Sequence, residues 1–448
     1  MHKKLLPLAV AGALAAPAVA LAQVEVYGTI HMSINQMKYG EATPTAPGGA
    51  NLPSASKWDV ASHASNVGVR ARESLGSGLS AWAQVETNAS MERSNNLAHT
   101  SNFASRNSAV GMQGNWGNVF VGQWTTPWAD LDALWGIGTV ATYGPITSII
   151  GRRETTGSAP NWNCSNISGI GGASGAALGG VAVGTLACDS VEGQSGVGHA
   201  FWRRISNSIH YQSPVFAGVQ AKIAYQTNQD KSTTATPTGT TVNSDPQMWS
   251  AAVTWAGLGG RVRVGAAFDA HKDFTTVGQT DNGIALKGGW NFGFADIGFA
   301  FEQMTYKVAT GDCKAKQWGV QAAVPIGQGA IRAAYSQAND IKGDYTTLTA
   351  ATAGAFTAGA LSGSPASCGG SLLGADVAAN NGAKQLNIGY DYRFSKRTTV
   401  GVGYAAIKND EAARFTWSGL SSAQGGQDVT PPAGADVGIF FVSMIHRF

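Results

Sequence analysis

The chain has 448 residues, of which only 13% are charged, and it contains 59 glycines and 13 tryptophans. Lysine and arginine exceed aspartate and glutamate by only 30 − 27 = 3 charges, which excludes the strong basic field of a nucleic-acid-binding protein. After the first two dozen residues, no apolar run approaches the ~18 residues that a transmembrane helix needs. These properties exclude a helical membrane protein.

The first 22 residues have the pattern of a secretory signal peptide. Lys3 and Lys4 form a positive start, an apolar stretch follows from Leu5 to Ala16, and Ala20-Leu21-Ala22 is a typical cleavage site. We therefore predict a signal peptide at 1–22 and a single exported domain at 23–448.

Segments of the mature chain alternate apolar and polar residues with the period of two that is typical of strands. In the first of them, Val24 and Val26 alternate with Glu25. Sixteen such segments are predicted, at 24–37, 58–73, 79–92, 104–114, 118–127, 202–212, 218–229, 247–256, 261–272, 282–292, 294–307, 314–324, 330–338, 384–394, 397–408 and 436–448.

The connections between these strands alternate in length. Short turns rich in glycine, proline or asparagine alternate with long polar connections, at 38–57, 93–103, 128–201, 230–246, 339–383 and 409–435. A soluble sandwich or propeller also has alternating strands, but its strands average about 5 to 6 residues and its loops are not sorted by parity. The pattern predicts an all-β fold, a 16-stranded antiparallel transmembrane β-barrel with both termini on the short-turn side.

Charged residues within the strands are expected to face the barrel lumen. Arg261 and Arg263 alternate with valines, and on the lipid face each would cost about 2 to 4 kcal/mol near the bilayer midplane. The same argument directs further charged side chains inward, where they would act on ions through their field: Lys222, Lys287, Arg332, Asp391 and Arg393.

Aromatic residues near the strand ends predict interfacial girdles on the outer surface. The candidates are Tyr27, Trp255, Trp290, Tyr390 and Tyr392. A stacking surface for sugars inside the lumen is the alternative, although the parity of these residues points outward.

The four cysteines of an exported protein are expected to pair. Cys164 and Cys188 bracket a segment rich in glycine, alanine and serine, so we predict that they form a disulfide worth roughly 3 kcal/mol. Cys313 and Cys368 would then join neighbouring loops on the long-loop side. No metal-binding, nucleotide-binding or hydrolase motif is present in the sequence, which predicts no metal, no cofactor and no enzyme activity.

Several phrases resemble those of the general porins of the Gram-negative outer membrane, most closely the betaproteobacterial type. They occur in order through the mature chain: Val26-Tyr27-Gly28, Asn66-Val67-Gly68-Val69-Arg70, Glu73 to Leu79, Gln84-Val85-Glu86, Arg106 with Val110-Gly111-Met112, Gly117 to Gly122, Arg204 with Asn207-Ser208-Ile209, Tyr211 to Pro214, and His446-Arg447-Phe448. In this family, a final aromatic residue such as Phe448 is the signal for the barrel-assembly machinery.

The resemblance implies a homotrimer of water-filled barrels in outer-membrane lipid and lipopolysaccharide, with short periplasmic turns and long extracellular loops. The 128–201 connection, after strand 5, would fold inward and bring Asp130 and Asp132 opposite the wall arginines Arg106 and Arg204. Arg70, which stands in one of the matching phrases, is a further pore-lining candidate. Asn66 and Gln123 stand where the family usually has arginine, which leaves the ion preference open.

The expected function is passive diffusion of small hydrophilic solutes and ions through an outer-membrane porin. A substrate-selective channel is the first alternative, because the long 128–201 connection could plug the lumen. A surface adhesin or receptor barrel is the second, because of the long loops at 339–383 and 409–435.

Overall fold

The computed structural model describes residues 23–40, 54–89, 91, 103–135, 143–150, 201–227, 232–235, 241–274, 278–308, 311–343, 382–411, 413, 415–417 and 434–448. The predicted signal peptide at 1–22 lies outside these residues, as do Cys164, Cys188 and Cys368. Cys313 lies in a strand, but its side chain is also outside the described part. Both predicted disulfides therefore remain predictions.

Sixteen antiparallel strands close into a barrel, as the alternation predicts. They are β1 (Gln23–Tyr39), β2 (Ala55–Ser62 and Asn66–Gly76), β3 (Leu79–Asn88), β4 (Ser108–Gly114), β5 (Gly117–Thr125), β6 (Arg204–Gln212), β7 (Val219–Gln226), β8 (Gln247–Gly257), β9 (Val262–Lys272), β10 (Thr280–Asn291), β11 (Asp296–Val308), β12 (Gly311–Ile326), β13 (Gly329–Ala338, continued by Lys342–Gly343), β14 (Ala383–Arg393), β15 (Thr398–Asn409) and β16 (Val437–Arg447). A separate hairpin, Ser232–Ala235 with Thr241–Ser244, belongs to the connection between β7 and β8.

Strand β1 closes the barrel by pairing with β2 on one side and with β16 on the other. Strand β2 is interrupted at residues 63–65, where Ala64 has a φ of 50°. The Ser65 side chain fills this gap, because its Oγ accepts from His31 N at 3.0 Å and donates to His31 O at 3.1 Å. The backbone of β1 therefore keeps its hydrogen-bond partners across the interruption.

The two faces of each strand differ as lipid and water require. In β14, Leu386 and Ile388 point outward and are 53% and 52% exposed, while Gln385 and Asn387 point inward and are buried. This arrangement is the reverse of a soluble protein, in which the apolar face is covered.

The outer surface at the short-turn end carries aromatic side chains. Trp255, Trp290, Tyr390 and Tyr392 lie there near the ends of β8, β10 and β14, and the ring of Trp290 stacks on that of Phe292 at 4.7 Å. Tyr27, which the sequence assigned to the same girdle, instead points inward, where its hydroxyl donates to Glu86 Oε2 at 3.0 Å. The prediction for Tyr27 is wrong because its position in the strand has the parity of the polar face.

The last residue helps to seal the joint between the first and last strands. Phe448 N donates to Gly28 O at 3.1 Å, and Gly28 N donates to Phe448 O at 3.2 Å. A Cβ atom at position 28 would collide with the Phe448 ring, so glycine lets the ring lie flat on β1. The role of Phe448 in assembly stays a prediction.

The remaining regular elements are short. Helix α1 (Pro127–Asp130), helix α2 (Asp132–Trp135) and a 3-10 turn (Pro145–Thr147) all belong to the connection after β5. None of the helices in the described part of the chain has the length and apolarity needed to cross a membrane.

The outward face of β14 provides a test of the barrel's orientation in lipid. We expect Ile388→Arg to lower the free energy of unfolding by about 2 to 4 kcal/mol, since it places a charge against hydrocarbon. The measurement is urea unfolding in lipid vesicles. Ile388→Leu is the control and should remain within about 1.5 kcal/mol of the wild type; equal stability of the two variants would contradict the outward assignment.

Candidate functional site: the inner loop and the lumen wall

The connection after β5 turns into the barrel instead of away from it. We call its described residues, 126–135 and 143–150, the inner loop. Thr126 begins α1: its Oγ1 accepts from Ala129 N at 3.3 Å, and Pro127 follows at the first helical position. A threonine cap and a proline at this position favour a helix start immediately after the strand. Trp128 N then donates to Ser250 Oγ on β8 at 3.3 Å, which fixes α1 against the inner wall.

Small residues on the wall make room for these helices. A Cβ atom at Gly265 on β9 would lie 2.6 Å from Leu134 Cδ1, and one at Gly283 on β10 would lie 3.1 Å from Trp128 Cη2. At Gly298 on β11 a Cβ atom would collide with Trp135, whose side chain is fully buried. Glycine at these inward positions therefore lets the loop lie directly on the strands.

Charged side chains of the wall hold both acidic residues of the loop. Lys222 Nζ on β7 binds Asp130 Oδ2 at 2.6 Å. Lys287 Nζ on β10 is buried and binds Asp132 Oδ1 at 2.5 Å and Glu302 Oε1 at 2.7 Å. Both loop carboxylates are thus paired with lysines of the wall, and one of these lysines is shared with Glu302.

Arg263 on β9 joins the loop to the wall in a different way. Its Nε donates to the backbone oxygen of Leu134 at 2.7 Å, while its two terminal nitrogens bind both oxygens of Asp296 at 2.9 and 2.6 Å. A guanidinium suits this position because its planar set of donors can serve a carboxylate and a carbonyl together.

The far part of the inner loop is anchored on the opposite side of the barrel. Gln385 and Asn387 on β14 donate to the backbone oxygen of Tyr143, and Tyr143 Oη lies 3.3 Å from Ser33 Oγ on β1. The Tyr143 ring packs against Trp417 and Phe441, with centroid distances of 5.6 and 5.0 Å. An apolar cluster therefore fills this side of the lumen: Met37, Trp135, Tyr143, Ile149, Ile150, Phe415, Trp417, Ile439 and Phe441.

The strands that follow β1 around the barrel carry more paired charges. We call segment Asn66–Gly76 of β2, with β3, β4 and β5, the open wall. Arg106 Nε binds Glu86 Oε1 at 2.5 Å, and Arg70 binds Glu25 Oε2 at 2.8 Å. Arg204 Nε, at the start of β6, donates to Asn107 Oδ1 at 2.7 Å. This wall and the inner loop are the two sides of the space through which solutes could move.

The structure brings some of the predicted site residues together and separates others. Asp130, Asp132 and Arg263 meet at the inner loop, whereas Arg106 and Arg70 form their pairs on the open wall. Arg261 lies outside β9, in the turn at the short-turn rim, where its Nε donates to Asn291 O at 3.1 Å.

Two positions without the family's usual arginine make backbone contacts instead. Asn66 Nδ2 donates to Ala64 O at 3.0 Å, and Gln123 Nε2 donates to Arg106 O at 3.3 Å.

Several partners in these contacts were not identified as site residues from the sequence. They include Glu86, Asn107, Trp202, Asp296 and Glu302, of which Trp202 Nε1 donates to Asp132 Oδ2 at 2.5 Å. The inward parity of Glu302 and Asp296 was visible in the sequence. Their choice of partner was not, because it depends on where the loop crosses each strand.

The contact between Gly298 and Trp135 can be tested by enlarging the glycine. We expect Gly298→Leu to push α2 away from β11 and to change the ion conductance in planar bilayers by more than half, since the loop can no longer lie on the wall. Ile297→Leu, which changes the outward neighbour, is the control and should conduct like the wild type. Equal conductance of all three proteins would contradict a limiting role for the loop.

The buried lysine of β10 offers a second test. Lys287→Met leaves Asp132 and Glu302 without their shared cation, and breaking a buried pair of this kind costs about 3 to 5 kcal/mol. We expect this loss in guanidinium unfolding experiments. The combination Lys287→Met, Asp132→Asn and Glu302→Gln should recover most of it. Lys396→Met, at an exposed turn, is the control; a loss as small as that of the control would show that the lysine does not stabilise the loop.

Comparison with known proteins agrees with this architecture. Residues 8–412 match the family model described as Gram-negative porin. The anion-selective porin from Comamonas acidovorans shares 20% identity at a TM-score of 0.63, with 95% of this chain and 100% of that chain covered.

Two other solved structures resemble the chain at lower identity. OmpT of Vibrio cholerae, folded in vitro, shares 13% identity at a TM-score of 0.54, with 95% of this chain and 98% of that chain covered. The outer membrane channel DcaP of Acinetobacter baumannii shares 12% at a TM-score of 0.53, with 95% and 97% covered. Comparison with curated protein sequences gives no match.

The solved structures support the fold, and the family model supports the identity because it matches most of the chain. The chain belongs to the Gram-negative porin family and forms an outer-membrane channel for passive diffusion.

Proposed function

We propose that this porin is a diffusion channel that prefers anions. The observation that carries the proposal is that both loop carboxylates are ion-paired: Asp130 binds Lys222, and Asp132 binds Lys287, which the buried wall residue Glu302 shares. The carboxylates of the loop therefore contribute little net negative field to the passage.

Arginines at the short-turn mouth of the channel give it a positive electrostatic field. Five exposed arginines lie there, and none of them makes an ion pair within the described residues: Arg72, Arg261, Arg393, Arg397 and Arg447. The nearby acids Glu25, Asp296 and Asp391 are already paired with Arg70, Arg263 and Arg332. A mouth lined by unmatched cations concentrates anions and repels cations.

The named relatives are consistent with this proposal. The Comamonas acidovorans protein is described as an anion-selective porin, and one structure of Vibrio cholerae OmpT is described as a trimer form. We extend both properties to this chain, as anion preference and a homotrimer, with the short turns facing the periplasm.

Mass measurement of the porin–detergent complex tests the proposed homotrimer. A mass that corresponds to one chain would contradict it.

The pair on the open wall tests the origin of the ion preference. Arg106→Ala leaves Glu86 without its cation, so we expect the reversal potential in a potassium chloride gradient to move toward the cation side. Adding Glu86→Gln to this variant removes the carboxylate that has lost its partner and should reverse most of the shift. Wild-type current that is carried mainly by cations would overturn the proposed preference.

The ion pair between Asp130 and Lys222 allows the converse test, in which removal of a carboxylate should strengthen the anion preference. Asp130→Asn leaves the charge of Lys222 uncompensated, so we expect a shift of the reversal potential toward the anion side. Glu411→Gln, which changes a carboxylate in the long connection after β15, is the control and should leave the potential unchanged. A shift in the cation direction would contradict the assigned role of the lysine.

A further inference from the structure

Three aromatic side chains form a cluster on the inner face of the open wall. Trp82 comes from β3, and Phe120 and Trp124 come from β5, with ring centroids 5.3, 5.8 and 5.1 Å apart in the three pairs. The neighbours of Phe120, Val119 and Val121, are exposed on the outer surface, so Phe120 points inward. None of the aromatic residues predicted from the sequence belongs to this cluster.

The surrounding wall holds the rings in place. A Cβ atom at Gly111 on β4 would lie 2.6 Å from Phe120 Cβ and 2.8 Å from Trp82 Cε2, so glycine allows the two side chains to meet across that strand. Phe120 is buried and stacks on His210 at 4.7 Å. Trp82 Nε1 donates to Asn118 Oδ1 at 2.8 Å, which fixes the indole. Trp82 and Trp124 themselves are only partly covered.

An arginine is the cross-strand neighbour of one of these rings. Arg72 on β2 is the cross-strand partner of Trp82 on β3, and residues opposite each other in this way share one face of the sheet. Arg72 is exposed and makes no ion pair in the part of the chain that the structure describes. Arg70, two residues earlier on the same face, differs because it is paired with Glu25.

We propose that Trp82, Trp124 and Arg72 form a binding subsite for an aromatic carboxylate inside the channel, a proposal that rests on the channel function. The indoles offer surfaces against which a planar ring can stack, and the guanidinium can bind a carboxylate through two parallel hydrogen bonds. A neutral sugar would not use the charge, and an aromatic amine would be repelled by it. The subsite begins at Arg72 in the short-turn mouth and extends along the open wall toward the inner loop, on the route of any anion that passes there.

The experiment uses the full-length porin in planar bilayers and in detergent. Ohmic salt current without added solute tests the proposed channel function by itself. Benzoate is then the probe, and acetate has the same charge without the ring. We expect benzoate to reduce the chloride current at lower concentration than acetate, and Trp82→Leu to weaken the benzoate effect about tenfold, as loss of one stacking contact implies. Isothermal titration calorimetry of benzoate in detergent measures the same affinity even if no current is seen.

Matched variants separate binding from simple narrowing of the lumen. Trp249→Leu removes an indole from the outer surface and should leave benzoate affinity unchanged. Arg72→Gln alters an exposed side chain, remains informative if Trp82→Leu fails to fold, and should also weaken benzoate binding. The proposal is overturned if benzoate and acetate act alike, if maltose blocks the current as well as benzoate does, or if neither variant changes benzoate affinity by more than twofold.

Discussion

The constraint on which this structure depends is the need to satisfy every backbone N–H and C=O group inside a hydrocarbon layer. A sheet meets that need only if it has no free edge, and here β1 removes the edge by pairing with β16 along Thr29 to Tyr39. The terminal residue extends the joint, since Phe448 exchanges two backbone hydrogen bonds with Gly28. The backbone groups of His31 are satisfied even at the interruption in β2, because the Ser65 hydroxyl accepts from His31 N and donates to His31 O.

In the closed barrel, the apolar side chains of the strands lie on the outer surface and the polar ones face the lumen, which is the reverse of a soluble protein. The channel function depends on this arrangement. Apolar side chains face lipid, and outside the apolar cluster around Tyr143 the inner wall is lined largely by polar groups. The inner loop finds its partners there. It does so through glycines that allow close approach and through lysines that match its two acids. Each ion pair that fixes the loop also removes a negative charge from the passage, so one set of contacts decides both the shape of the lumen and its field.

The open wall has a different character from the wall beneath the loop. Arg106 and Arg70 are paired there with Glu86 and Glu25, whereas Arg72 makes no ion pair among the described residues. The inward aromatic cluster is also found on this wall. A passage bounded on one side by a neutralised loop and on the other by rings and guanidinium groups favours solutes that combine an anionic group with a flat apolar part.

The sequence by itself determined the class of fold, the sixteen strands and the direction in which most side chains point, because alternation with a period of two is a local property of the chain. Alternation also identified Arg263 as an inward residue, whereas Asp130 and Asp132 were expected inside only because the sequence resembles the porins. The prediction for Tyr27 was wrong because this residue has the parity of the polar face. The tertiary structure alone decided which charge meets which. Lys222 and Asp130 are 92 residues apart and Lys287 and Asp132 are 155 apart, and periodicity carries no information on where a loop crosses a distant strand. The pairing of Arg72 with Trp82 likewise depends on strand register, which is set only when turns and neighbouring strands fix the sheet.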